Sequence, residues 1–113
     1  MLRGLLSLAL LLLLAAPQAA SAQQRNILAL SPGEMGRVIG AAAECKMNSN
    51  RAVMLTRRVL TAADRLNVNP MTVQNGINAG SEQVRRGRMP CNNARIDFEA
   101  LEEALADLPP KPL

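Results

Sequence analysis

The sequence predicts an all-α fold: a small four-helix domain stapled by one disulfide and preceded by a cleaved signal peptide. Three observations carry that prediction. Apolar residues recur at helical spacing through four segments, and no segment alternates apolar and polar residues as a strand does. The connections are short and rich in caps and breakers, namely Asn48-Ser49-Asn50, Asn67-Val68-Asn69-Pro70 and Gly87 through Pro90. Finally, the chain holds two cysteines, Cys45 and Cys91, which allow a single intramolecular pairing.

Residues 1–22 read as a secretory signal. Met1-Leu2-Arg3 is a short positive start, Leu5 to Ala16 is apolar except for Ser7, and Pro17-Gln18 breaks the run. Ala20-Ser21-Ala22 is a small-x-small site, so cleavage is expected between Ala22 and Gln23. The apolar run is about a dozen residues, against the ~20 a membrane-spanning helix requires. No cysteine follows the junction to carry a lipid, and no later segment is long and apolar enough to span. The expected location is periplasmic or secreted.

Of the 113 residues, 91 follow Ala22, with 12 Lys+Arg and 9 Asp+Glu, a net charge of +3. A domain of that size buries a modest core and gains from a covalent staple. Closing the Cys45–Cys91 loop stabilises the folded chain by roughly 4 kcal/mol on the chain-entropy account. The chain has no Cys-x-x-Cys pair and no histidine to tune a thiolate, so the pair reads as structural rather than redox-active.

The first helix is expected over 32–47. Ser31 can cap it, Pro32 suits its first position, and Glu34 can close a capping box. Met35, Val38, Ile39, Ala42 and Cys45 then share a face. The second helix, over 51–66, presents Val53, Thr56, Val59, Leu60, Ala63 and Leu66, with its arginines largely off that face. The third, over 70–86, opens on Asn69 as cap and Pro70 as first residue, and Gly87 stops it. Val73, Ile77, Gly80, Ser81 and Val84 form its stripe. The fourth, over 94–108, carries Phe98, Leu101, Leu105 and Leu108. These helices make a domain over 23–108, and residues 109–113 read as an extended proline-rich tail. The disulfide is expected to pin the first and last helices around a hairpin of the second and third.

The chemistry this inventory excludes is broad. With no His, Tyr or Trp and a single Phe, the chain lacks histidine-based acid–base catalysis, histidine metal ligation and stacked-aromatic sites. The hydroxyls of Ser31, Ser49, Thr56, Thr61, Thr72 and Ser81 sit in no nucleophile motif. Asp97, Glu99, Glu102, Glu103 and Asp107 are spread along the last helix without a calcium-loop pattern. Met35, Met47, Met54, Met71 and Met89 are scattered, as core fillers are, rather than clustered as copper ligands. No catalytic residue, cofactor or metal site is expected.

Two features remain as candidate surfaces. Gly76 and Gly80, four residues apart, bare a strip of backbone, and each disfavours a helix by roughly 1 kcal/mol relative to Ala. The strip suits close packing of the third helix on the second or first, with docking of a partner as the alternative. Arg57, Arg58 and Arg65 on the second helix, with Arg85, Arg86 and Arg88 at the end of the third, form the other candidate. Residues 23–93 carry ten basic and four acidic side chains, net +6, and residues 94–113 two basic and five acidic, net −3. Solvated arginines paired with the acidic last helix are the simpler reading. A face for anionic lipid, lipopolysaccharide or an acidic partner is the sharper one. Nucleic acid is not expected, because no aromatic residues interleave the basic ones.

The order of Gly36 to Cys45, Arg51 to Leu66, Pro70 to Gly87 and Cys91 to Leu108 resembles small exported two-cysteine helical proteins of proteobacteria. That resemblance implies no activity. Acid-activated periplasmic chaperones share the size, the helical build and the single disulfide. The functional expectation is a small exported, non-enzymatic binding or accessory protein. A stress holdase and an envelope module that binds anionic lipid through its arginines are the alternatives.

Overall fold

The computed structural model describes residues 29–112, and the expected signal segment with its Ala22–Gln23 junction lies outside them. Four helices form among the described residues: α1 Pro32–Glu44, α2 Ser49–Arg65, α3 Pro70–Arg85 and α4 Cys91–Ala104.

Three of the helix starts are made by the caps the sequence offers. Ser31 Oγ accepts the Glu34 backbone N–H at 3.3 Å, and the Ser31 hydroxyl donates to the Glu34 carboxylate at 3.2 Å. The capping box is therefore closed through the hydroxyl rather than through the Ser31 backbone. Of Asn48-Ser49-Asn50, Asn48 is the cap: its Oδ1 accepts from the backbone of Asn50 and Arg51, so α2 starts at Ser49, two residues before the expected 51; Asn69 Oδ1 accepts from the backbone of Met71. The fourth start differs from expectation. Pro90 caps α4 without a side-chain hydrogen bond, its carbonyl accepts from Ala94 N–H at 3.0 Å, and Cys91 is the first helical residue. The start thus comes three residues before the expected 94, and Asn92 and Asn93 lie inside the first turn.

The ends of α1, α2 and α3 share one device. Lys46, Asn67 and Gly87 adopt positive φ of 63°, 56° and 71°. Each follows the helix cap, and paired backbone bonds complete the turn: Lys46 and Met47 to Ala43 and Ala42, Asn67 and Val68 to Asp64 and Ala63, Gly87 and Arg88 to Val84 and Gln83. These are Schellman motifs. They end α1 at Glu44, three residues short of the expected Met47. The last helix also stops early, at Ala104 rather than Leu108: the chain turns through Ala106 N–H to the Glu103 carbonyl and Leu108 N–H to the Leu105 carbonyl, ahead of Pro109 and Pro110, which cannot extend a helix.

The core gathers Met35, Ile39 and Ala42 of α1, Leu55, Val59 and Ala63 of α2, Val73 of α3, and Phe98 and Leu101 of α4. The buried stripe of α2 corrects the expected one. Leu55, Val59 and Ala63 recur every four residues and face inward, whereas Val53 and Leu66 are 52% and 62% exposed. At about 100° per residue, Val53 lies about 160° around the helix from Leu55, so both cannot be buried.

The helix pairing is also corrected. α3 packs chiefly on α1 and only slightly on α2, and α1 touches all three other helices. A Cβ on Gly40 would strike the Ile77 carbonyl, on Gly36 the Val73 carbonyl, on Gly76 the Gly33 carbonyl and on Gly80 the Arg37 carbonyl. The two backbones therefore lie directly on each other, with glycine Cα–H groups aimed at carbonyl oxygens of the facing helix. The Cys45–Cys91 disulfide, with a Cα–Cα distance of 5.5 Å, joins the cap of α1 to the first residue of α4. Beside it Ala41 and Ala94 form a small second core with Val84 and Met89 against them. Among the described residues no helix is long and apolar enough to cross a membrane.

Candidate functional site

The glycine crossing shapes the surface around it. Where α1 and α3 touch without side chains, the flanking polar residues stand as walls. An open groove of about 510 Å³ runs over Gly33 and Gly76 between Ser31, Glu34 and Arg37 on one side and Thr72 and Asn75 on the other. A second, narrower cleft of about 200 Å³ lies between α1, the end of α3 and α4, bounded by Glu34, Arg37, Gln83, Met89 and Asp97. Burial pushes the Asp97 carboxyl above its ordinary pKa. Arg37 lines both hollows and forms no ion pair among the described residues. The Gly76–Gly80 strip is thus buried against α1, the internal alternative of the two the sequence left open.

The six candidate arginines separate into three environments. Arg57 and Arg58 of α2 point at the proline-rich segment. Arg57 Nε donates to the Lys111 carbonyl at 2.8 Å and Arg58 Nε to the Leu108 carbonyl at 3.1 Å. Arg85 and Arg86 are paired instead with the carboxylate of Glu82, at 3.2 Å and 2.9 Å, and Arg85 also lies 3.8 Å from Glu44. Arg65 and Arg88 are exposed and form no ion pair among the described residues. The acidic last helix takes its partner elsewhere. Glu102 receives two hydrogen bonds from Arg51, Nη2 at 2.6 Å and Nε at 3.1 Å. The Arg51 guanidinium also lies over the Phe98 ring, 5.5 Å from its centroid. The hydrogen bonds from Arg51 hold the Glu102 carboxyl below its ordinary pKa, and the same bond raises that of Arg51.

Sequence reasoning missed the proline-rich segment as a structural element. It reads as an extended tail, and it lies along the outward side of α2. Thr61 Oγ1 donates to the Pro109 carbonyl at 2.7 Å and Lys111 N–H to the Arg57 carbonyl at 3.0 Å. Lys111 Nζ stands 3.7 Å from Asp64. The helical spacing of Arg57, Arg58 and Thr61 was the available signal, because it places three donors on one face opposite Leu55, Val59 and Ala63.

Large apolar side chains also reach the surface. Val53, Met54, Leu66, Met71 and Ile96 are the exposed ones among the described residues, and four of these five fall between positions 53 and 71. Val53 and Met54 lie near the start of α2, Leu66 caps its end and Met71 lies in the first turn of α3. A disulfide-stapled bundle of this kind defines the class to which the chain belongs, a small all-α domain. Comparison with protein-family models, with curated proteins and with solved structures found no match.

Proposed function

We propose that the protein is a small exported binding protein that works by docking a partner rather than by catalysing a reaction. The observation that carries this reading is the pair of large exposed apolar side chains, Leu66 and Met71, at the two ends of the turn between α2 and α3. Leu66 and Met71, 62% and 60% exposed, flank that turn, and Val53 and Met54 lie on the helix that leads to it. The disulfide supports an oxidising compartment, where such bonds persist.

The arginine distribution favours this reading over a lipid-binding face. Four of the six candidate arginines are engaged by backbone carbonyls or by Glu82, so only two of that set, Arg65 and Arg88, stand without a partner among the described residues.

The test is capture from envelope extract by the oxidised chain beginning at Gln23. A protein partner retained by the wild type and lost by a Leu66→Ser/Met71→Ser variant of unchanged helicity is the expected result. Capture that survives this variant but falls steeply with salt would move the contact to the arginines. Reproducible turnover of a substrate, abolished by a point substitution, would overturn the docking reading altogether.

A further inference from the structure

The contact between α2 and the proline-rich segment has the chemistry of peptide recognition. An extended proline chain makes no internal hydrogen bonds, so its carbonyls are open acceptors. Here three of them, on Leu108, Pro109 and Lys111, accept from side chains of a single helix face: Arg58 Nε, Thr61 Oγ1 and Arg57 Nε. The return bond, from Lys111 N–H, goes to the Arg57 carbonyl. All four bonds are made to the backbone of the segment. Lys111 adds the one charged side-chain contact, to Asp64. A surface that reads backbone carbonyls accepts any chain of the right shape, and the rings of Pro109 and Pro110 fix that shape before contact.

We infer that the outward face of α2, built on Arg57, Arg58 and Thr61, is a binding site for extended proline-rich peptide, which the chain's own segment 108–112 occupies. The inference goes beyond the docking reading above, which concerns Leu66 and Met71, and assigns a second surface with its own class of ligand. In this arrangement the segment is an intramolecular competitor. A partner with a proline-rich stretch takes its place on the same donors, and the segment is released. Met54 opens the same stripe one turn earlier in α2 and is exposed, so a longer ligand has an apolar neighbour there.

The test uses the full chain and a capped synthetic peptide of sequence Leu-Pro-Pro-Lys-Pro, followed through backbone amide and Arg Nε–H signals by NMR. A tethered segment acts at millimolar effective concentration, so the wild type should respond only at about 5 mM peptide and above. In a full-length Pro109→Gly/Pro110→Gly variant the tethered competitor loses its fixed shape. That chain should bind the peptide at least about tenfold more tightly than the wild type, with shifts centred on Arg57, Arg58 and Thr61. Adding Arg57→Ala and Arg58→Ala to it should abolish those shifts. No shift on α2 in either chain, or equal shifts with a Leu-Ala-Ala-Lys-Ala control, would overturn the inference. The wild-type titration stands by itself if the glycine variant loses its amide dispersion. A chain that captures an envelope protein yet ignores the peptide would retain the docking reading and lose this one.

Discussion

Asp97 and Glu102, five residues apart on α4, respond to acid in opposite senses. Burial raises the Asp97 pKa, so its charge opposes folding at neutral pH, and that penalty vanishes as pH falls through the raised value. Asp97→Asn should therefore raise the melting temperature at pH 7 and leave it unchanged near pH 3. Glu102 is the reverse case. Its pKa is lowered by the Arg51 hydrogen bonds, so its contribution is complete above the ordinary carboxylate pKa and is lost as pH falls through the lower folded value. Glu102→Gln should lower the melting temperature at pH 7, with the difference fading below about pH 4. Thermal unfolding of both variants across this range, followed by circular dichroism, checks the two signs. The sequence places both carboxylates on the last helix but does not distinguish them, because their environments are set by α1 and α2.

Among the elements, the α1–α3 pair makes the most specific demand on side-chain size. Gly40→Ala would drive a methyl group into the Ile77 backbone carbonyl, which has no rotamer with which to yield. A loss of about 1–3 kcal/mol is expected, as for an overpacked core. Gly33→Ala is the control on the same helix. Its methyl would meet the Thr72 side chain at 3.2 Å, which can turn aside, and alanine improves helix propensity by about 1 kcal/mol. That variant should fall within about 1 kcal/mol of the wild type, and denaturant titration separates the two outcomes. The strip on α3 was legible from the spacing of Gly76 and Gly80. Its counterpart on α1, Gly36 and Gly40, has the same spacing and supplies the partner. The stripe of α2 was misread at Val53 because its apolar residues allow two faces, and only the packed neighbours choose Leu55 as the inward one; Leu66 shares the inward spacing but is the C-cap, past the last helical residue, and is exposed there.

For the molecule as a whole, the disulfide is the principal long-range constraint. Its bridged residues are separated by 46 positions, and it ties the hub helix α1 to α4. The Cys45→Ser/Cys91→Ser chain should lose about 4 kcal/mol of stability, and reduction of the wild type should reproduce that loss. Equal unfolding midpoints for the oxidised and reduced chains would show that packing alone holds α4. The bridged Cys91 is also the first residue of α4, which starts without a side-chain cap because Pro90, in extended backbone, presents its carbonyl to Ala94 N–H.

From sequence alone came the helical class, the number of helices, the caps at Ser31 and Asn69, the stop at Gly87 and the cysteine pairing. These are local properties, written in apolar spacing, in side chains that bond to a nearby backbone, and in the arithmetic of two cysteines. The tertiary structure decided which helices pair, which face of α2 is buried, and where the arginines and the proline-rich segment go. Those outcomes depend on residues distant in sequence. The glycines of α3 needed those of α1 before their spacing had a meaning. Arg57, Arg58 and Thr61 needed the carbonyls of Leu108, Pro109 and Lys111, about fifty residues away, before they became a site.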